Sequence, residues 1–141
     1  MRLWHKDLIS VLPKQQLLGQ WRECCLIAKN ISEKGTPNHI LVNPIMDYPI
    51  EHFISYCYMV FDEMNRRDYN VHSTAIDKYF PANPFCQSIP TNRMFDWLHT
   101  PKYKTQCLAN LEEKHDRGGI DDYEWHILLQ GARRTKTNVV Y

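Results

Sequence analysis

The sequence predicts an all-α fold. Apolar residues recur at helical spacing through most of the chain, and proline, Thr or Asp caps and glycine punctuate those stretches where helices start and stop. No stretch alternates apolar and polar residues strongly enough to force a strand, and no segment repeats. With 141 residues, 43% of them apolar, four Trp and eight Tyr, the chain has the material for one compact domain over residues 1–141, built from about three to five helices around one core.

The first helix is expected from about Pro13 to about Asn30, because proline suits a first turn and Leu17, Trp21, Cys24, Cys25 and Ala28 form an apolar face. "SEKGTPNH" reads as a loop broken by Gly35 and Pro37. A second helix should run from near Pro49 to Arg66–Arg67, along a stripe of Ile50, Phe53, Ile54, Cys57, Val60, Phe61 and Met64. Residues 72–92, with Pro81, Pro84 and Pro90, predict an irregular connection with a short helical piece at "STAIDKYF", and a helical turn at "NRMFDWLH" follows. Thr100, Pro101 and Gly118 then mark cap, first position and exit of a further helix whose apolar members are Tyr103, Cys107, Leu108 and Leu111. The last helix is expected to start at Asp121, with Glu124 as its capping-box partner, and to stop before Gly131.

Several function classes recede on composition. No apolar run reaches the ~20 residues of a membrane span, and "MRLWHKDLIS" lacks the apolar stretch of a secretory signal, so an intracellular protein with no membrane partner is expected. Five cysteines without a C-x-x-C pair read as reduced thiols, and the scattered His5, His39, His52 and His72 offer no metal-ligand spacing, so neither a metal nor another cofactor is expected. Net charge is only +1, yet residues 1–36 carry six Lys/Arg against three Asp/Glu. The last eleven residues add Arg133, Arg134 and Lys136 with no acid. A polyanion fits those ends better than the middle, although an ordinary solvated surface has the same composition.

The stretch "QQLLGQWREC" raises a sharper question. Gly19 stands inside a helix, where glycine costs roughly 1 kcal/mol relative to alanine, and Arg22 and Glu23 follow one turn later. On a helical wheel Gln16, Gly19, Gln20 and Glu23 share one side, roughly opposite Leu17, Trp21 and Cys25. Gly19 then either admits a neighbouring helix or leaves a bare patch of backbone for a bulky ligand beside the Glu23 carboxylate.

"LISVLPKQQLLGQWREC" and the lead before it resemble the start of the phage-type pyrimidine-dimer DNA glycosylase/AP lyase family, the phage endonuclease V family. The resemblance runs without a gap from Met1 through Glu23 and includes Leu8, Ser10, Leu12, Gln15, Leu17, Arg22 and Glu23. Weaker similarity continues at "RRDYNV" and at "LEEK", residues 111–114. The resemblance implies a compact all-α enzyme, read here as a monomer, that acts on damaged double-stranded DNA. It cuts the glycosylic bond of a pyrimidine dimer and then breaks the strand by β-elimination, with the protein's own N-terminal α-amine as nucleophile.

It also places the catalytic glutamate at Glu23, its adjacent arginine at Arg22, a basic side chain at Lys114 and a DNA-touching helix residue at Gln16, where the phage enzyme has histidine; Lys14 joins these as a DNA contact. The family's second residue is small, so its initiator Met is removed and the amine belongs to position two. Here that position is Arg2, too large for usual methionine removal, so the amine falls on Met1 or on Arg2. The residue types suit the chemistry. An α-amine has a pKa of about 8, leaving a useful neutral fraction near pH 7, and a carboxylate beside it can stabilise charge on the sugar and move the proton whose loss from C2′ drives elimination. The competing class is a catalytically silent nucleic-acid- or protein-binding module that keeps the fold, and within the enzyme class a related base lesion could replace the dimer.

Overall fold

The computed structural model describes residues 2–72, 74–80 and 88–139, without the side chains of residues 74, 75 and 133–139. Met1, Pro81, Pro84, Cys86 and the side chains of Arg133, Arg134 and Lys136 therefore fall outside the described residues. Among the described residues the regular structure is entirely helical, as the sequence predicts: α1 (Lys14–Lys34), α2 (Ile50–Arg66), α3 (Thr74–Tyr79), α4 (Pro101–Asp116) and α5 (Asp122–Val139), with short 3-10 segments at Lys6–Val11 and Asn43–Asp47. No helix among them is long and apolar enough to cross a membrane.

Pro13 caps α1, and its other end is set by Gly35, which adopts φ 72° and donates its N–H to the Ile31 carbonyl. The helix thus runs four residues past the expected Asn30, because Ser32, Glu33 and Lys34 do not break a helix and the left-handed glycine does. Pro49 opens α2 as expected. The Thr100 hydroxyl accepts from the Tyr103 N–H at the start of α4, and Gly118 (φ 82°) follows its end.

Two expectations about α5 need correction. Asp121 accepts from the Glu124 N–H at 2.7 Å, but the Glu124 carboxylate reaches across to accept from the Lys14 N–H at 2.8 Å, so it caps the first turn of α1 instead of closing a box on its own helix. Nor does Gly131 stop the helix, which continues to Val139. A Cβ at Gly131 would stand 2.3 Å from Val11 Cγ1, so the glycine lets α5 lie against the Lys6–Val11 segment. Gly131→Ala should therefore destabilise the protein by about 2 kcal/mol or more in urea unfolding, and Val11→Ala in the same chain should restore a large part of that loss.

The core gathers α1, α2 and the N-terminal segment. Leu8, Leu17, Cys24, Ile27, Phe53, Tyr56, Val60, Met64, Phe95, Leu111 and Leu128 are fully buried. Glu63 is buried too, paired with Arg66 and Arg67, and the Arg67 guanidinium donates onward to the Leu12 and Ser10 carbonyls, tying the exit of α2 to the entry of α1.

What positions the site is an irregular arm, residues 2–5, that threads through this core. Leu3, Trp4, His5 and Lys6 are all buried, and side chains from three helices and one turn meet the polar groups of their backbone. The Gln20 amide donates to the Arg2 carbonyl at 3.2 Å and accepts from the Trp4 N–H at 2.7 Å. Tyr103 donates to the Leu3 carbonyl and Tyr56 to the Trp4 carbonyl, each at 2.6 Å. His5 Nε2 donates to the His99 carbonyl, and His99 Nδ1 accepts from the Lys6 N–H, both at 2.9 Å. The bond that His99 Nδ1 accepts needs a neutral ring, as does the 3.1 Å bond that His5 Nδ1 accepts from the Asp7 N–H, and burial favours both neutral forms by pushing the His99 pKa down to about 2 and lowering that of His5.

Candidate active site

Glu23 sits on α1 one turn beyond Gly19, at the edge of the arc that the helix buries. Its carboxylate is half-buried and accepts from Gln20 Nε2 at 3.3 Å and from the backbone N–H of Arg2. Loss of hydration raises its pKa above the ordinary carboxylate value, opposed among other influences by that Arg2 hydrogen bond and by the charge of Arg22. The arm therefore delivers a backbone nitrogen directly to a partly desolvated carboxylate.

Across from α1, the exposed face of α4 completes a cleft of about 290 Å³ lined by Arg2, Trp4, Glu23, Asn110, Glu113, Lys114 and Arg117. Asn110, Lys114 and Arg117 recur at i, i+4 and i+7, so one stripe of α4 faces Glu23. Arg117 is paired with Glu113 at 2.7 Å, while the Arg2 guanidinium stands 5.7 Å from the centre of the Trp4 ring. The cleft thus sets Arg2, Lys114 and the Arg117–Glu113 pair around the partly desolvated Glu23 carboxylate.

Of the residues singled out in the sequence, the structure brings Glu23, Arg2 and Lys114 to this cleft. Arg22 lies outside it, exposed, and its guanidinium folds back toward Gly19: a Cβ there would meet Arg22 Nη2 at 3.8 Å and nothing else within 4 Å among the described residues. Among the described residues no neighbouring helix packs against the glycine, so its backbone is bare there. Gln16 is half-buried one turn before Gly19, with an Oε1 that accepts no hydrogen bond among the described residues. Lys14 lies at the far end of α1, its ammonium 5.3 Å from the Tyr69 ring centre, and is not part of the cleft. Met1 is outside the described residues.

Gln20 is the residue that the helical wheel misassigned. It is 1% exposed, on the buried side with Leu17 and Cys24 instead of the polar side with Gly19. Its amide joins arm, α1 and α2, since the Tyr56 hydroxyl, which gives its one proton to the Trp4 carbonyl at 2.6 Å, also stands 3.1 Å from Oε1. The missed signal is its spacing: position 20 falls three after Leu17 and four before Cys24.

A family model described as pyrimidine dimer DNA glycosylase matches residues 1–77, more than half of the chain. The chain belongs to that family. No curated protein and no solved structure matches it. As a pyrimidine dimer DNA glycosylase the protein has DNA as its substrate class, and the matched span holds the arm, α1 and Glu23, while the Lys114 wall of the cleft lies beyond it.

Proposed function

We propose that the protein removes pyrimidine dimers, or a related base lesion, from double-stranded DNA and then cuts the strand as an AP lyase, with an α-amine at the end of the N-terminal arm as nucleophile and Glu23 as the proton-handling carboxylate. The observation that carries this reading is the hydrogen bond between the Arg2 backbone N–H and Glu23, at the end of an arm whose other polar groups are held by Gln20, Tyr56 and Tyr103. The amine is that of Arg2 itself or of the residue before it, one Cα spacing of about 3.8 Å away.

The chemistry follows from that geometry. The neutral amine attacks the sugar C1′ as the glycosylic bond breaks and its electron pair leaves with the base. Loss of a proton from nitrogen and opening of the sugar ring give a protonated imine, whose charge Glu23 stabilises. Removal of a C2′ proton by Glu23 then forms the C2′–C3′ double bond and expels the 3′-phosphate, and water hydrolyses the imine to release the protein. Lys114, Arg117 and Arg2 supply positive charge for the phosphates on either side, Arg22, Gln16 and Lys14 extend that contact along α1, and Gly19 lets the DNA backbone approach the helix closely.

Borohydride reduction tests the imine. With a duplex carrying an abasic site, the protein should form a permanent crosslink, and peptide mapping should place it on the first residue of the mature chain, whose identity the mass of the same sample gives. A link at Lys114 would keep the lyase and discard the terminal amine. Lys6 is a poor competitor, since its ammonium is buried and donates to the Met94 carbonyl at 2.6 Å. Tight binding to abasic DNA with no crosslink would mark a silent binding module instead.

A further inference from the structure

The loop between α1 and α2 exposes two large apolar side chains in succession, Ile40 at 83% and Leu41 at 62%. Burying neither is unusual for a turn that is otherwise closely tied down. The Asn43 carboxamide oxygen accepts from the His39 N–H at 3.0 Å, the His39 carbonyl accepts from the Val42 and Asn43 N–H groups, and His39 Nδ1 accepts from the Leu41 N–H at 3.2 Å. Asn38 takes the left-handed φ of 59°, and Pro37 and Val42 are buried on either side. The turn is built to hold Ile40 and Leu41 outward.

It also stands beside the cleft. Leu41 lines a second hollow, of about 430 Å³, together with Arg2, Tyr103, Gln106 and Asn110, and Arg2 and Asn110 are shared with the Glu23 cleft. His39, two residues before Leu41, also lies near enough to influence Glu23. An apolar tip held in water next to a cationic cleft matches what a duplex offers at a damaged step: phosphates for the cations, and exposed base faces for the apolar side chains.

We infer that Ile40 and Leu41 form a wedge that enters the base stack at the lesion and keeps the step open while the sugar sits against Glu23. This inference rests on the functional reading above. Unstacking a base step costs a few kcal/mol, least at a damaged site, so a wedge that fills the opened step favours lesion-containing over intact DNA.

The test uses the full chain, its Ile40→Ser/Leu41→Ser variant, and duplexes with 2-aminopurine next to a stable abasic-site analogue. The parent should raise the 2-aminopurine emission on binding. The exposed double variant, folded as judged by circular dichroism, should lose most of that rise and bind the abasic duplex about tenfold more weakly, with affinity for intact duplex unchanged. A variant that opens the step and prefers the lesion as well as the parent does would overturn the wedge alone. A parent that binds abasic and intact duplex equally would overturn the functional reading and the wedge with it.

Discussion

Glu23→Gln is expected to reduce strand cleavage at an abasic site by about a thousandfold or more while leaving the protein folded and bound to DNA. General acid–base groups contribute about 10²–10⁴-fold, and the carboxylate is asked to do two things here, stabilise the imine and take the C2′ proton. Stability should hold or rise slightly. The folded-state pKa of Glu23 lies above its ordinary value, so at neutral pH folding disfavours its charged form, and an uncharged amide of the same shape relieves that cost. The carboxamide oxygen introduced by the substitution can still accept from Gln20 and from the Arg2 N–H. Single-turnover cleavage, urea unfolding and a binding titration on one preparation separate the outcomes. Cleavage at the parent's rate would remove Glu23 from the chemistry, and an unfolded variant would make it structural.

Gln20→Leu should cause the next largest loss, by a different route. It keeps the size of a buried side chain but removes the acceptor of the Trp4 N–H and the donor to the Arg2 carbonyl, leaving buried groups unpaired at about 1–3 kcal/mol each. Unfolding in urea should shift by about 2–4 kcal/mol. Cleavage should fall about a hundredfold under conditions where the variant is fully folded, because an arm nitrogen displaced by about 1 Å no longer meets Glu23. Tyr103→Phe, which frees the Leu3 carbonyl but leaves Gln20 in place, should show a smaller version of both effects. If Gln20→Leu lost stability yet cleaved at the parent's rate once folded, the arm would be ordinary core and not a positioning device.

The sequence made legible whatever depends on local punctuation. Pro49, Thr100 with Pro101, and Gly118 each act within one turn, and α2 and α4 begin and end beside them. It misled where a residue's role is tertiary. Gly131 reads as a stop because a glycine's packing partner, here Val11, is invisible along the chain. Glu124 reads as half of a local box because the competing Lys14 N–H is 110 residues away. Gln20 reads as polar surface because its partners on the arm and at Tyr56 are likewise remote. For the cleft, resemblance singled out Glu23 and Lys114, and helical spacing from Lys114 alone would have added Asn110 and Arg117. The arm itself has no period to detect.

That arm has a consequence for the order in which the molecule is completed. His5 bonds to His99 across 94 residues and Leu3 to Tyr103 across 100, so two of the four side chains and turns that anchor the arm's backbone are separated from it by most of the chain. During synthesis residues 2–6 leave the ribosome well before residues 99–103, so the part of their seat made by His99 and Tyr103 does not exist until α4 has been made and has docked. Closing so long a loop is slow, and it follows the formation of α1 and α2, whose contacts are nearer in sequence. A nascent or partly opened chain therefore holds Glu23 in a finished helix without the Arg2 nitrogen beside it, and the candidate site is complete only when residues 2–6, made long before α4, take their place last.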